Sequence, residues 1–567
     1  MGKITADIDV NSTRSAAGGP TTVFRRRIRP RISGWWLCFL LLFAIGEVWA
    51  LTIPPFAQSD EASQVSKAMG TGYGHFIPYF GADVPGGGGP STVQRLGAFT
   101  VPARYAYNWT CFIGKPTQPA TCAGVFGGTK KDSAGATYHE DYPPLYYGLV
   151  GWPAAVFSAP QSYYVMRTIS AAVMAAFIAS ALASAIVGRR SRLLALGVLI
   201  ATTPGVLFLG AGIDSSGFEV VTALCLWTTL LVLFAEPATS LAMNSAESAP
   251  QRARPEPQTG AESSVARQNR LITRAVVAAV ALMLARPLSP IWVVLIVAFS
   301  LALSRRAVMA HLLRLRRVRV GLMAVALSGL AALAWYVLRQ PGRDLIRYAK
   351  GLAHPGYRAV AEELIGGFGS RFHDMIGRFG WPGEVRAPTI TMIGWIVSLT
   401  LVGFFAMAAG TRRERLILLG VVAVLLLVPL VIVVPQTQYV NGWAGRYDLP
   451  LAIGFPLVSA FILDQRPAQL ESFRAVIAVV VATSLAIGYV VAYAAVARRY
   501  IVGIHGPLLY ILHVDWAPRL PAWFLLVSMT TATAALVWLT WRALERRSPF
   551  EDGLELSRRG LVSLLGR

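Results

Sequence analysis

Charged residues are scarce in this sequence: they make up 14% of its 567 residues, whereas 54% are hydrophobic and the mean hydropathy is +0.52. So few charges exclude an ordinary soluble globular protein of this size, because its surface needs more polar cover. Acidic residues are scarcer than basic ones, with 29 Asp and Glu against 52 Lys and Arg. The Lys and Arg lie in short clusters between apolar runs, which argues against nucleic-acid binding and is typical of membrane proteins with positive cytoplasmic flanks.

Cysteine is also rare, with four residues in the chain. Cys38 and Cys225 lie inside apolar runs, where we expect inert packing residues. Cys111 and Cys122 fall in the polar loop after the first apolar run, and a disulfide between them is allowed if that loop is extracytoplasmic.

The chain has no CxxC or HExxH spacing, so neither a cysteine nor a histidine metal centre is predicted. The glycine-rich stretch from Pro85 to Pro90 lacks the Lys and Ser or Thr of a phosphate loop, so nothing supports an ATP-driven mechanism.

Long apolar runs are what the sequence has instead. A hydrocarbon core about 30 Å thick needs roughly 20 apolar residues of helix, and we identify about twelve such spans. The basic run ending at Arg31 precedes the first span, which places the N-terminus in the cytoplasm. We therefore predict an all-α polytopic helix bundle in the plasma membrane, with both termini cytoplasmic. The predicted spans are residues 34–53, 163–187, 193–210, 218–234, 271–285, 288–303, 320–338, 389–409, 416–434, 449–463, 475–495 and 522–541.

Polar stretches divide these spans into two membrane modules. The mixed-charge stretch 236–270 is rich in Pro, Ser and Gln and has no periodicity, which predicts a disordered cytoplasmic linker. Leu145–Phe157 begins and ends outside as an interfacial or re-entrant helix, although a further span there stays an alternative. Arg498 and Arg499 also fall outside, in violation of the positive-inside rule.

The predicted domains are a basic cytoplasmic N-terminus (1–33), an N-terminal membrane module (34–235) with a large extracytoplasmic loop (54–142), the linker (236–270), a C-terminal membrane module (271–541) with an outer loop (339–388), and a cytoplasmic tail (542–567).

The acid pair Asp60 and Glu61 lies directly after the first span. Two carboxylates held within one turn of the membrane surface can bind a divalent cation or accept a proton from a sugar hydroxyl. We predict Asp60 as the catalytic residue, with Glu61 beside it, and a divalent cation is the candidate cofactor there. The alternative is that Ser59 caps a helix and the two acids meet its positive end.

Other ionisable residues fall on the same side of the predicted topology. Asp141 precedes the entry of a helix, Asp214 begins an exposed turn, Arg286 lies in a proline hinge, and Arg446 with Tyr447 closes a polar segment. An arginine at a membrane boundary can bind a lipid phosphate, because its guanidinium fork meets two phosphate oxygens. These five residues are the predicted substrate-binding set. The alternative for both arginines is that they snorkel to headgroups or pair with the acids.

Several short motifs follow one another from the first span to about Pro450. They are Pro55 to Ala62 with its Asp-Glu pair, Tyr142 to Tyr147 (YPPLYY), Thr203-Pro204 leading to Gly210 to Glu219, Arg286 to Pro290, Gly380-Trp381, and Gly445 to Tyr447. In this order they resemble a large family of bacterial multi-span membrane proteins catalogued as a domain of unknown function. That family is in turn distantly similar to the GT-C class of lipid-linked glycosyltransferases.

The resemblance implies a GT-C-like fold and a catalytic acid in the first outer loop, here Asp60 with Glu61 beside it. It also implies a sugar donor carried on a polyprenyl phosphate, transferred to a glycan acceptor at the outer membrane face for cell-envelope synthesis. Ser59 and Gln64 stand where the family usually has a Pro before the acid pair and a His after it. The turn Asp214–Ser216 replaces the usual Asn-Pro-Asn.

Two other functions stay open at this point. A transporter or flippase of lipid-linked glycans predicts ionisable residues at mid-span and paired broken helices. The predicted spans are nearly free of such residues, with Glu47 near the outer end of the first as an exception. A non-enzymatic membrane scaffold is the third alternative. The residues therefore favour the glycosyltransferase.

Overall fold

Apolar α-helices make up most of the part of the chain that the structure, a computed structural model, describes. The described residues all belong to one compact unit that begins at Gly34. They are residues 34–85, 93–102, 112–123, 132–187, 193–235, 264–339, 356–380, 383–434, 443–466 and 471–545.

Long helices that suit a membrane span alternate with short ones in the connections. The helices are α1 (Gly34–Thr52), α2 (Glu61–Gly72), α3 (Leu145–Gly151), α4 (Pro153–Val156), α5 (Gln161–Val187), α6 (Leu193–Ala201), α7 (Pro204–Gly210), α8 (Ser215–Ala235), α9 (Ser264–Met283), α10 (Ser289–Leu303), α11 (Arg306–Arg314), α12 (Arg316–Arg339), α13 (Tyr357–Gly366), α14 (Phe368–Gly377), α15 (Thr389–Ala409), α16 (Arg412–Val433), α17 (Gly445–Ala452), α18 (Gly454–Asp464), α19 (Glu471–Val502) and α20 (Ala522–Glu545). The strands are β1 (Tyr79–Pro85), β2 (Val93–Pro102) and β3 (Asp132–Thr137) in one antiparallel sheet, and β4 (Arg378–Phe379) with β5 (Val385–Arg386) in a hairpin.

The membrane-spanning helices confirm the predicted polytopic helical fold. Among the described residues, nine helical segments are long and apolar enough to cross a membrane, with α17 and α18 counted together as Gly445–Asp464, and ten if α6 and α7, bent by 64°, form one broken span. Two predicted spans do not meet this requirement, because α9 carries Arg267, Arg270 and Arg274 near its start and α10 has only 15 residues. The helix α9 begins at Ser264, so residues 264–270, predicted as linker, are helical. Backbone hydrogen bonding extends this helix to residues that precede the start of its apolar run.

Helix α8 lies at the centre of the bundle. In the most apolar stretch of α8, 89% of the residues are buried inside the protein. The corresponding share is 17% in α12, which lies at the periphery. Helix α8 packs against α5, α7, α9, α10 and α17, and α1 packs on α5. A Cβ on Gly46 of α1 would lie 3.0 Å from the Cβ of Ala171, so glycine permits this close approach. Such tight contacts hold membrane helices together, because lipid tails offer no hydrophobic driving force for association.

The described parts of the predicted extracytoplasmic loop are folded. Helix α2 packs against β2, β3 and α3. In the sheet, Ala98 lies opposite both Tyr79 and Ala136. The ring of Phe99 sits on Gly70, where an added Cβ would come within 2.2 Å of the ring. This packing fixes the orientation of α2, which begins one residue after Asp60.

Helices α3 and α4 occupy the stretch predicted as interfacial or re-entrant. They have seven and four residues, so each is far shorter than the roughly 20 residues that a span needs. Trp152, Val156 and Phe157 are exposed at this point, as is typical of side chains that meet a membrane interface. The described structure therefore has no full span between Leu145 and Phe157.

The two arginines that violate the positive-inside rule are engaged in structural contacts. The buried Arg499 forms an ion pair with Glu384 at 2.6 Å. Arg498 donates hydrogen bonds to the carbonyls of Ile504 and Gly506, at 2.5 and 3.0 Å. These cations tie connecting segments to α19, so their position need not report which side of the membrane is cytoplasmic. Arg499 also donates to the carbonyls of Phe112, Lys115 and Gln118.

Some predictions fall on residues that the structure does not describe. The N-terminal segment 1–33 and most of the linker are among them. Cys111 also lies outside the described residues, so its disulfide with Cys122 stays a prediction. The predicted outer loop 339–388 contains α13, α14 and the β4–β5 hairpin, and the predicted tail starts inside α20.

Candidate active site

The chain leaves α1 through a strained turn. Phe56 and Asp60 both have positive φ, 63° and 59°, although neither is glycine. A left-handed backbone costs such a residue about 1–2 kcal/mol, so surrounding contacts must hold it there. Asp60 precedes α2 without a side-chain capping bond, and the Ser59 hydroxyl donates to the carbonyl of Gly380 at 3.2 Å. Ser59 therefore does not cap this helix, although Asp60 and Glu61 do lie at its N-terminus, as that alternative predicted.

The Asp60 carboxylate joins distant parts of the chain. It accepts hydrogen bonds from the Tyr138 hydroxyl at Oδ1 and from Arg446 Nη2 at Oδ2. Arg446 lies at the start of α17, 386 residues further along the chain. The Asp60 and Arg446 side chains are 9% and 18% exposed. Burial raises the pKa of Asp60, but the Arg446 charge and the Tyr138 hydrogen bond are among the contacts that outweigh it and hold the pKa below its usual value. Asp60 is therefore ionised at neutral pH.

Glu61 has a different set of contacts. Its two oxygens accept from Arg167 at 2.8 and 2.6 Å, and both side chains are fully buried. The backbone N–H of Ile213 also donates to Glu61, at 3.3 Å. Arg167 fastens the end of α1 to the start of α2, because it also donates to the carbonyls of Ala50, Ile53 and Pro54.

The two carboxylates of the acid pair thus diverge. Asp60 faces Tyr138 and Arg446, whereas Glu61 faces Arg167. Within the part of the chain that the structure describes, no three or more His, Cys, Asp or Glu side chains are grouped so as to hold a metal ion. A joint cation site is therefore not assembled between these two side chains.

Both predicted arginines meet at Tyr447. The guanidinium carbon of Arg286 lies 4.7 Å from the centre of the Tyr447 ring, and that of Arg446 lies 5.2 Å from it. Arg286 also pairs with Glu219 at 2.9 Å and donates to the Tyr142 hydroxyl at 3.0 Å. The Nε atom of each arginine is buried and has no hydrogen-bond partner among the described residues. The site therefore holds two neighbouring cations with donors to spare.

Asp214 lies near Arg446 and Arg286. Its Oδ1 accepts from the backbone N–H of Ser216 at 2.7 Å and from Gln64 Nε2 at 3.3 Å. Its Oδ2 is buried and has no partner among the described residues. Burial raises the pKa of Asp214, and the charge of Arg446 opposes that shift. Asp214 is therefore part of the same assembly, with one acceptor atom unused.

His139 was not identified from the sequence and lies against Gln64. Its Nδ1 is 2.7 Å from the Ser63 hydroxyl and its Nε2 is 3.3 Å from Gln64 Nε2. An imidazole thus sits beside Gln64, the position at which the resemblance leads us to expect a histidine. Burial lowers the pKa of His139 to about 3, so the ring is neutral. No regular motif surrounds His139, and only its proximity to the predicted Asp141 could have drawn attention to it.

Asp141 lies within electrostatic reach of Lys67 and Arg286. Its main-chain carbonyl accepts from the indole N–H of Trp335 at 3.0 Å. Burial raises the pKa of its carboxyl, and the nearby Lys67 ammonium opposes that shift. The structure therefore links Asp141 with Lys67, a second residue that sequence reasoning missed. The signal was available, since Lys67 is a lone basic residue in the helix that follows the acid pair.

Comparison with known proteins gives a family and a distant likeness. A family model described as "Predicted membrane protein (DUF2142)" matches residues 42–245 and 259–455, and these ranges contain every side chain of the site above. No curated protein matches the sequence. Among solved structures, ArnT from Cupriavidus metallidurans is similar in its apo state and bound to undecaprenyl phosphate, with TM-scores of 0.39 and 0.40. Each comparison gives 12% identity and covers 90% of this chain and 76% of that chain.

Proposed function

This chain belongs to the family of predicted membrane proteins DUF2142, and from that premise we propose that it is a GT-C-like glycosyltransferase. It takes a sugar from a polyprenyl phosphate at the outer face of the plasma membrane and transfers it to a cell-envelope glycan. The family assignment confirms the membership predicted from the motifs, but it names no activity. The observation that carries the proposal is the contact between Asp60 and Arg446 beside a second arginine.

The two arginines suit the phosphate of the donor. Arg446 and Arg286 flank one tyrosine ring and each has a buried Nε without a partner among the described residues. A guanidinium fork matches phosphate oxygens, and it stays charged at any relevant pH. Negative charge builds on the phosphate as the sugar departs, so cations placed there lower the barrier.

Asp60 suits the acceptor. In the transfer, the acceptor hydroxyl oxygen bonds to the anomeric carbon, the bond from that carbon to the phosphate oxygen breaks, and Asp60 takes the hydroxyl proton. Polyprenyl phosphate leaves, and the configuration at the anomeric carbon inverts. While Asp60 is paired with Arg446, its lowered pKa makes it a weak base. A donor phosphate that engages Arg446 weakens this pairing and so raises the basicity of Asp60 when substrate is bound.

The geometry supports transfer over the two alternatives. The ion pairs of the site involve residues at helix ends: Arg446 is in the first turn of α17, and Asp60 immediately precedes α2. A flippase needs ionisable groups along a path through the membrane. The ion pair between Asp60 and Arg446 lies instead at the ends of the helices that carry it. A scaffold gives no role to the unpartnered Nε atoms or to the unused Asp214 oxygen.

Purified protein in liposomes tests the proposal. Wild type, Asp60→Asn and the control Asp515→Asn are compared with a panel of polyprenyl-phosphate hexoses and with envelope glycan from a deletion strain as acceptor. We expect Asp60→Asn to lower turnover at least about 100-fold, because a general base contributes 10²–10⁴-fold, while its melting temperature stays near that of wild type. Asp515 is exposed between α19 and α20, so Asp515→Asn should leave turnover unchanged.

Wild-type turnover by Asp60→Asn would remove Asp60 from the mechanism. Lipid-linked glycan that accumulates on the inner leaflet of the deletion strain, with no turnover by purified protein, would instead favour the flippase.

A further inference from the structure

Lys67 is a fully buried cation next to the proposed site. It lies on α2 and none of its surface is exposed. Its Nζ donates to the carbonyls of His139 and Tyr142, both at 2.5 Å, and of Glu140 at 3.2 Å. An ammonium has three N–H donors and no acceptor, so this arrangement uses all of them on one turn of the backbone.

The turn that Lys67 holds carries contacts to both parts of the proposed site. Tyr138, one residue before the first of these carbonyls, donates to Asp60. Tyr142, at the last of them, accepts from Arg286 at 3.0 Å. The base and one phosphate-binding arginine are thus both in contact with residues of one short segment, and Lys67 fixes its main chain.

We propose that Lys67 is a positioning residue for the transfer reaction. Its ammonium gathers the carbonyls of residues 139, 140 and 142 and so holds Tyr138 against Asp60 and Tyr142 against Arg286. The effect on turnover rests on the proposed function. The effect on the order of the turn depends only on the contacts of Lys67.

The surroundings of Lys67 make its charge sensitive to pH. Asp141 and Glu140 face it from the turn, and Arg339 faces it from the end of α12. Burial lowers the pKa of Lys67 to about 7, against the opposing effect of Asp141. A neutral amine has only two N–H donors, so it cannot serve three carbonyls. Lys67 also lies 4.9 Å from the centre of the Tyr147 ring, 6.0 Å from that of Tyr142, and close enough to His139 to lower its pKa.

The direction of the pH effect follows from this lowered pKa. Lys67 is charged below about pH 7 and loses its proton as the pH rises. The charged fraction falls from about 0.9 at pH 6 to about 0.1 at pH 8. Turnover should therefore fall about tenfold over that range, if the charged form alone holds the turn.

Three variants of the full-length protein in liposomes test this inference: Lys67→Met, Lys67→Arg and the control Lys115→Met, whose side chain is exposed. Amide hydrogen exchange is measured over residues 138–142, and turnover of the most active polyprenyl-phosphate hexose is measured from pH 6 to pH 9. We expect Lys67→Met to speed exchange in the turn and to lower turnover about tenfold or more at pH 6. Lys67→Arg, which stays charged, should flatten the alkaline fall that wild type and Lys115→Met share.

The outcomes separate the two proposals. Wild-type exchange and turnover in Lys67→Met would overturn the positioning role, and so would an alkaline fall in Lys67→Arg equal to that of wild type. If wild type turns over none of the donors, the proposed function fails, and exchange at residues 138–142 still decides whether Lys67 holds the turn. If Lys67→Met does not fold, the pH profile of Lys67→Arg makes the same decision.

Discussion

Two adjacent acids form two ion pairs of different character. The Glu61–Arg167 pair has no exposed surface, and Arg167 has five hydrogen bonds to the carboxylate and to main-chain carbonyls. The Asp60–Arg446 pair is 9% and 18% exposed, and Arg446 keeps a buried Nε without a partner among the described residues. The first pair is closed, whereas the second is partly open to solvent. Two acids that are adjacent in the sequence therefore need not have the same role.

The closed pair should matter most for stability. Removing one partner of a buried ion pair leaves an uncompensated charge and costs about 3–5 kcal/mol. We therefore expect Arg167→Met to lower the melting temperature in detergent more than a substitution of Asp60 or Arg446 does. The double variant Glu61→Gln/Arg167→Met leaves no unpaired charge and should recover part of this loss. Equal melting temperatures for wild type and Arg167→Met would show that the pair does not fasten α1 to α2.

The open pair should matter most for substrate. Arg446→Lys keeps a charge beside Asp60 but loses the guanidinium fork. We expect kcat/KM for the polyprenyl-phosphate sugar to fall roughly 30-fold, mostly through kcat, because charge builds on the phosphate as the sugar departs and a hydrogen bond to a charged group is worth about 2 kcal/mol. The melting temperature should change little, in contrast to Arg167→Met. Arg412→Lys, an exposed arginine at the start of α16, serves as control, and wild-type kinetics in Arg446→Lys would contradict the assignment.

The contact of Tyr138 with Asp60 should give the smallest effect. Tyr138→Phe removes one hydrogen bond to the carboxylate but leaves Arg446 in place. One hydrogen bond is worth about 1 kcal/mol, so we expect turnover to fall about fivefold. Turnover is measured in the same liposome assay. Tyr79→Phe removes the hydroxyl of an exposed tyrosine in β1 and should have no effect. A loss in Tyr138→Phe as large as that in Asp60→Asn would mean that the tyrosine, not the acid, is the working group.

The spans were predictable because the hydrocarbon core requires about 20 apolar residues of helix. The predicted span Thr389–Ala409 matches α15, and α1 ends one residue before the predicted Ile53. The predicted span Leu193–Gly210 is instead broken at Pro204, which lacks the N–H that a continuous helix needs. Hydropathy does not detect such a break, because both halves are apolar.

The site was predictable only in part. Asp60 stands out in the sequence because acids are few in this chain, and Arg286 and Arg446 stand out because each lies in a short polar break between apolar runs. Their meeting was not predictable, because 386 residues separate Asp60 from Arg446. Arg167 was missed because it lies inside an apolar helix, and its partner is set by how α5 packs on α1.

Labelling of the turn after α2 in intact cells shows on which side of the membrane the Asp60 site lies. The exposed His75 is changed to cysteine in a chain whose four native cysteines are replaced, and the cells are treated with a membrane-impermeant maleimide. We expect labelling without permeabilisation, because the proposed reaction requires Asp60 to face the compartment in which lipid-borne sugars present their headgroups. Labelling only after permeabilisation would place Asp60 in the cytosol and contradict the proposed reaction.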